Sequence, residues 1–358
     1  MSLFTNKTLL ITGGTATYYL ACMDERIALA APSCAVCTYE ASIAAMMHCM
    51  CNHIPSSRKY FEMGDLACLI APRKLIVAAG RDDKIFPLDG VNKTYDVIER
   101  IYKAAGYDAI ALTDHWKYGA GGDLCGLKII SGCEYNLGAS DTISGVMHIV
   151  GVGMKEDPCL CRETASGQEV IDAIKAKGGL AILAHPAWSL NTPEEAKSLS
   201  GFDATEIYNT VSDKGMSSRP YSGYFVDLLA NMGVAYPLIA VDDTHMYNGI
   251  DDTKSYIMVK AKDDSVGSIL EAVRQGEFYA SQGPELHVRR EGDKVIADCS
   301  ECVTIDFLSN SAWVADKMTR GSGLTHAEYT IKDWDKWVRV EVCDDKGNFA
   351  WSNVIFVR

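Results

Sequence analysis

Short apolar runs alternate with longer helical stretches from Leu9 to about Gly283, and this alternation restricts the fold more than any other feature of the chain. The apolar runs Leu9–Thr12, Leu75–Ala79, Ala109–Thr113, Lys128–Ser131, His148–Val152, Leu180–Ala184 and Leu238–Val241 read as strands. Between them, Thr15–Met23, Tyr39–Cys51, Gly90–Ala105, Gly167–Lys177, Gly223–Met232 and Ser265–Gln275 read as helices. Strands alternating with helices point to βαβ units and a parallel sheet or barrel. After Gly283 the helices stop. Val288–Ala297, Val303–Leu308, Ala327–Ile331 and Trp337–Cys343 read as strands joined by polar turns, which predicts a small antiparallel β region.

With 358 residues the chain exceeds the roughly 250–300 residues at which a single core stops growing, so more than one domain is expected. Lys and Arg number 34 against 47 Asp and Glu, a formal net charge of −13. That balance argues against a nucleic-acid partner, because neutralising phosphates needs an excess of Lys and Arg. No apolar run approaches the ~18 residues of a membrane span, so no membrane partner is expected. The opening MSLFTNKTLLITGG reads as a strand entering a Gly turn, not as a signal peptide. Thirteen Cys without an export signal then predict reduced thiols and a cytoplasmic protein.

Chemistry concentrates in the middle of the chain. Asp114-His115 follows the strand of GYDAIALTDHW, Glu134 lies in GLKIISGCEYN, His148 in MHIVGVG, His185 in GGLAILAHPAW, and Asp243 and His245 in LIAVDDTHMY. Each His or carboxylate lies in or next to an apolar run. In a βα barrel such strand ends converge on one face, where catalytic groups gather. Imidazole suits Zn, Fe or Mn, and a carboxylate can bridge two cations. Four imidazoles and two carboxylates from five segments therefore read as a metal site.

These blocks, TDH, G-x-E, the mid-strand His, AHP and D-x-H in that order, resemble the PHP family (polymerase and histidinol phosphatase), over about residues 104–284. The resemblance implies a distorted (β/α)7 barrel that holds two or three Zn, Mn or Fe ions and hydrolyses phosphoesters. It places metal ligands at His115, Glu134, His148, His185, Asp243 and His245, with Asp243 and His185 as the catalytic pair. Asp243 and Glu134 would be bridging or shared ligands, and Glu206 in TEIYN would stand behind them. One departure matters. The family opens with a strand bearing H-x-H, and the eight His of this chain, His48, His53, His115, His148, His185, His245, His287 and His326, include no such pair. The expectation is therefore an incomplete barrel with one to two ions and impaired activity on a small phosphoester, or a non-catalytic chain.

The first third resembles a different family. DERI, SCAVCTY, MGDLACLIAPRKLIV and GRDDKIFP fit the C-terminal half of an α/β-hydrolase of the acetyl-xylan-esterase or dienelactone-hydrolase sort, over about residues 8–106. The resemblance makes Asp83 the relic of an esterase acid. The turn that would carry the Ser of G-x-S-x-G reads Thr12-Gly13-Gly14-Thr15, and no triad His follows. Without Ser and His the carboxylate cannot run acyl transfer, so a carbohydrate acetyl esterase is the weaker reading, with Thr12 or Thr15 as the substitute nucleophile. Cys34-x-x-Cys37 and the group His48, Cys49, Cys51, His53 have zinc-like spacing, but buried free Cys is also a common core residue.

The whole chain is then expected to be a partial α/β-hydrolase-like segment (1–106), a PHP-like metal-binding barrel (107–284) and a C-terminal β region (285–358), joined at the helix that ends near Ala105. A barrel that lost its first strand at such a join could borrow Leu75–Ala79 to fill the gap. In the last region Trp313, Trp334, Trp337 and Trp351 either pack a small core or stack on sugars, and Asp345-Lys346-Gly347 marks a hairpin turn.

Overall fold

A computed structural model of the chain describes residues 8–10, 14–48, 52–71, 73–104, 106–124, 127–138, 146–213, 217–245 and 250–358. The chain divides into two compact units, 1–108 with 125–127, and 109–124 with 128–358.

In the first unit, β1 (Thr8–Leu10), α1 (Thr15–Met23), β2 (Ile27–Ala30), β3 (Lys74–Leu75) and α2 (Leu88–Ala104) follow one another. The strands pair in parallel in the order β1-β2-β3. Helix α1 buries Tyr18 and Ala21, and the Tyr18 hydroxyl donates to the Met63 carbonyl at 2.8 Å. Carbonyls at the end of α1, those of Ala21 and Asp24, accept from the Arg73 guanidinium, which also donates to the Ile27 carbonyl at the start of β2. Two expectations change here. The helix expected over Tyr39–Cys51 is a run of turns over its described residues, with amide donors reaching back three, four or five residues. Side chains override the helical preference: Ser42 donates to the Ile85 carbonyl at 2.6 Å, and the Tyr39 amide donates to Glu62 at 2.8 Å. The strand read at Leu75–Ala79 is two residues long with one isolated bridge, Ser33 to Ala78, and it pairs with β2 of its own unit.

The second unit begins with β4 (Ala109–Ala111), β5 (Gly122–Leu124) and β6 (Leu127–Ile130), which pair in the order β4-β6-β5. A five-stranded sheet follows, built from β7 (Gly132–Leu137), β8 (Met147–Val152), β9 (Leu180–Leu183), β10 (Ala204–Asn209) and β11 (Leu238–Val241). Helices α3 (Gly167–Ala176), α4 (Pro186–Ser189), α5 (Pro193–Ser198) and α6 (Gly223–Asn231) connect its strands. Capping boxes start α3 and α5, with Ser166 and Glu169 in one and Thr192 and Glu195 in the other. Strands β9, β10 and β11 run parallel; β9 and β11 are apolar on both faces, as a covered parallel sheet requires, whereas β10 also buries Thr205, Glu206 and Asn209. Strands β7 and β8 are antiparallel to each other, and β8 is antiparallel to β9. The expected βα alternation therefore describes β9 to β11 but not β7 and β8, which pair with each other antiparallel. Among the described residues the sheets stay open, with no ladder closing them into a barrel.

The remaining strands are β12 (Tyr256–Val259), β13 (Phe278–Ser281), β14 (Leu286–Glu291), β15 (Lys294–Ser309), β16 (Met318–Thr330), β17 (Trp337–Cys343), β18 (Phe349–Trp351) and β19 (Ile355–Phe356), with α7 (Val266–Arg274) between β12 and β13. They form one antiparallel sheet, so the β region expected from residue 285 shares its sheet with strands that start at Tyr256. The single strand expected at Val288–Ala297 is a hairpin that turns at Gly292, where φ is +62°. Trp337 and Trp351 are buried, whereas Trp313 and Trp334 are exposed. The described cysteines are free, and among the described residues no helix is long and apolar enough to cross a membrane.

A buried charge bolts this sheet to α6. The guanidinium of Arg339 on β17, fully buried, donates to both carboxylate oxygens of Asp227 on α6 at 2.6 and 3.1 Å, and also to Glu341. Trp337 donates to Asn231 at 3.0 Å beside it. Removing one partner of such a group leaves uncompensated buried charge. Arg339→Ala is therefore expected to lower stability by about 3–5 kcal/mol, read from urea unfolding curves of the two proteins.

Candidate metal centre

The ladders bring the donor-bearing residues to one end of the five-stranded sheet. Glu134 lies mid-way along β7, and His148 lies near the start of the antiparallel β8, so both reach the same end. The segment after β4 is stitched to β7 by an isolated parallel bridge between His115 and Glu134. The Trp116 amide donates to the Glu134 carbonyl at 2.8 Å and the Glu134 amide to the Asp114 carbonyl at 3.2 Å. His185 follows β9 and caps α4, and Asp243 and His245 follow β11.

Glu134 is the hub. Its Oε1 lies 2.5 Å from Nδ1 of His148, 3.5 Å from Nε2 of His185 and 4.0 Å from Nδ1 of His115. Asp243 Oδ2 lies 3.9 Å from Nε2 of His185, and Asp243 Oδ1 lies 3.5 Å from Nδ1 of His245. The His115 and His245 rings are 6.0 Å apart. All six expected donors thus form one closed circuit: Glu134, His148, His185, Asp243, His245, His115. The donor atoms of His115, Glu134 and His148 lie within 4.8 Å of one another, close enough to share an ion.

Electrostatics follows from burial. Glu134 is 4% exposed, which by itself raises the pKa of a carboxyl; the imidazoles of His148 and His185 outweigh that and hold it well below the usual range. Desolvation pulls His148 down. It pulls on His185 too, but Glu134, Glu206 and Asp243 around it win and lift it to about 8. Glu206, also buried, is raised to about 7 by desolvation, which outweighs the lowering by His185. The set fits a divalent ion: imidazoles and carboxylates, buried on one side and open at His115 and His245.

A surrounding shell supports the donors. Glu206 accepts from the His185 amide at 2.8 Å, and Asn209 Nδ2 donates to Glu206 at 2.9 Å and to Asp243 Oδ2 at 3.1 Å. A register shift between Glu206 and Tyr208 on β10 brings Asn209 to the side of Glu206. Ser189 Oγ lies 3.0 Å from Nδ1 of His185, leaving Nε2 for the centre. Asp242 instead accepts from the backbone amides of Lys254 and Ser255. Trp116, His185 and Asp243 all carry positive φ, at 55°, 24° and 53°. Such strain costs of order 1–3 kcal/mol each and gathers at functional sites. The sequence reading missed Asn209, Ser189 and Trp188; only the closeness of Asn209 to Glu206 in TEIYN signalled any of them.

The esterase candidates are differently placed. Asp83 Oδ1 accepts from the amides of Ile85 and Phe86 at 2.8 and 3.1 Å, and these bonds lower its pKa. The buried Thr15 hydroxyl donates to the Ala35 carbonyl at 3.4 Å. Thr12, Cys49 and Cys51 lie outside the described residues. His48 Nε2 lies 3.2 Å from Ser42 Oγ, but that hydroxyl is fully buried and already donates to Ile85. Burial pushes the Cys37 thiol up, and Cys302, beside Cys299, up to about 12.

No sequence-family model matches the chain. The curated protein named "Putative hydrolase YtaP" of Bacillus subtilis (strain 168) is 27% identical over 97 residues, 26% of this chain. The match spans about a third of that relative's length (32%). Among solved structures, a two-domain protein from Bacteroides vulgatus ATCC 8482, titled as containing a predicted PHP-like metal-dependent phosphoesterase, is similar at TM-score 0.40 and 15% identity, covering 70% of this chain and 87% of that one. A score that low carries no assignment of fold.

The bridging amide of Asn209 gives a test of the shell. Asn209→Ala frees both carboxylates it holds and is expected to weaken binding of Mn2+ or Zn2+ about 10–100-fold, measured by titration calorimetry.

Proposed function

We propose that the chain binds a divalent metal ion through His115, Glu134, His148, His185, Asp243 and His245 and hydrolyses a small phosphoester. The observation that carries this reading is the convergence of those six side chains, from five segments, around the buried Glu134 carboxylate. Their order along the chain is the one that resembles the PHP family. The chemistry a bound ion supplies is polarisation of a phosphoryl oxygen and a hydroxide nucleophile at neutral pH.

The residues of the chain have distinct parts in this reading. Glu134 anchors the centre and orients His148. His185 turns Nε2 towards Glu134 and Asp243 because Ser189 occupies its other nitrogen. Asp243 is held by Asn209 at one oxygen and lies within 3.5 Å of His245 at the other. His115 and His245, each about two-fifths exposed at the side chain, form the open side through which a substrate would approach.

A second reading, metal binding without turnover, is favoured by the absence of any H-x-H from the sequence. Two measurements separate these. Elemental mass spectrometry of protein purified without added metal or chelator should find Zn, Mn or Fe, lost in a Glu134→Ala/His185→Ala variant. A chromogenic phosphate ester should be hydrolysed in the presence of Mn2+ or Zn2+, with His185→Ala slower by about 100-fold or more. Bound metal without turnover would select the second reading. Turnover indifferent to both metal and His185→Ala would overturn the first.

A further inference from the structure

One aromatic side chain outside the donor set touches two of its members. The Trp188 ring stands edge-on to His148, with centroids 5.6 Å apart at 68°, and to His185, 5.0 Å at 81°. The two imidazoles are themselves edge-on at 4.7 Å. Three rings thus close a triangle with Trp188 at one corner.

Local chain geometry puts it there. His185 leaves β9 with φ 24° and ψ 57°, and Pro186 begins the single turn of α4 directly after it. The Ser189 amide donates back to the His185 carbonyl at 3.0 Å. This turn folds over the histidine that precedes it and lays Trp188 across both rings. Trp188 is half-buried and belongs to neither hydrophobic cluster that packs the five-stranded sheet, so core filling does not account for a Trp at this position.

We propose that Trp188 is a positioning residue for the metal centre. Its indole fixes the ring planes of His148 and His185 so that both address Glu134, and it keeps water from that side of the donors. The inference rests on the metal-binding reading above. An imidazole held by one hydrogen bond still turns about its side-chain torsions, whose ring rotation is broad. A neighbouring ring edge removes that freedom before an ion arrives, and partners of this kind govern metal affinity even though they never touch the metal.

The test is a Co2+ titration of the full chain after removal of metal with chelator, in wild type, Trp188→Phe and Trp188→Ala. Trp188→Ala is expected to bind Co2+ about 10–100-fold more weakly, with the melting temperature of the metal-free protein unchanged. Trp188→Phe, which keeps a ring at the contact, is expected to stay within about threefold of wild type. Co2+ should also quench less indole fluorescence in Trp188→Phe, because an indole in contact with two of the donor rings is gone. Affinity of Trp188→Ala within about twofold of wild type would overturn the proposal. So would undiminished quenching in Trp188→Phe, or equal losses in both variants accompanied by a lower metal-free melting temperature. Wild type that takes up no Co2+ would instead remove the metal-binding reading itself, and the inference with it.

Discussion

A carboxylate in the interior of a sheet, Glu134, is the constraint that the candidate site is built around. A charged carboxyl without partners cannot be kept out of water at tolerable cost. Glu134 has them because β8 and β9 deliver His148 and His185 to the same oxygen, at 2.5 and 3.5 Å. That delivery depends on register. In the β7–β8 ladder Glu134 pairs with Val150 and Asn136 with His148, so Glu134 and His148 lie on one face as diagonal neighbours. A slip of one residue would turn His148 to the opposite face, where Ile149 packs among Cys133, Tyr135 and Ile174, and would leave the carboxylate alone. Hydrophobic packing on one face of the strands thus sets the electrostatics on the other.

The strand ends are where the chain is bent hardest. His185 and Asp243 leave their strands with positive φ, a conformation ordinary residues avoid, and both belong to the donor circuit. Strain at these points is sustained only because surrounding bonds over-determine it. The His185 amide is held by Glu206, the Asp243 carboxylate by Asn209, and the β10 register shift aligns those two holders. The far side of the same unit is secured differently. Helix α6 is fastened to β17 through the Asp227–Arg339 pair, and Tyr208 of β10 stacks on Trp351 of β18 at 5.4 Å. Strand β10 therefore carries the supporting shell of the site and also contacts the C-terminal sheet.

Elements with a strong local signal were legible in the sequence. Thr15–Met23, Leu238–Val241 and Trp337–Cys343 have the observed bounds, because apolar periodicity and turn residues delimit them. The residues gathered round Glu134 stood out in the sequence because five separate apolar runs each carry a His or carboxylate in or beside them. Three things were not. The Tyr39–Cys51 stretch is rich in helix formers, yet bonds from the Ser42 hydroxyl to the Ile85 carbonyl and from the Tyr39 amide to the Glu62 carboxylate set the path of its described residues. Strand direction in β7 and β8 depends on how the chain returns, which apolar runs do not encode. Asn209 and Trp188 reach the site through a register shift and through one helical turn, and neither leaves a periodic trace.

The circuit of donors also bears on the missing H-x-H. Glu134 and Asp243 lie opposite one another in it, each flanked by two imidazoles: His148 and His115 beside Glu134, His185 and His245 beside Asp243. His185 belongs to both halves, at 3.5 Å from Glu134 and 3.9 Å from Asp243. A catalytic zinc needs three protein donors and one open position. Either carboxylate with its flanking imidazoles meets that count from this chain alone, so one ion needs nothing from an H-x-H strand. Of the two halves, the Glu134 half brings its donor atoms, those of His115, Glu134 and His148, within 4.8 Å of one another.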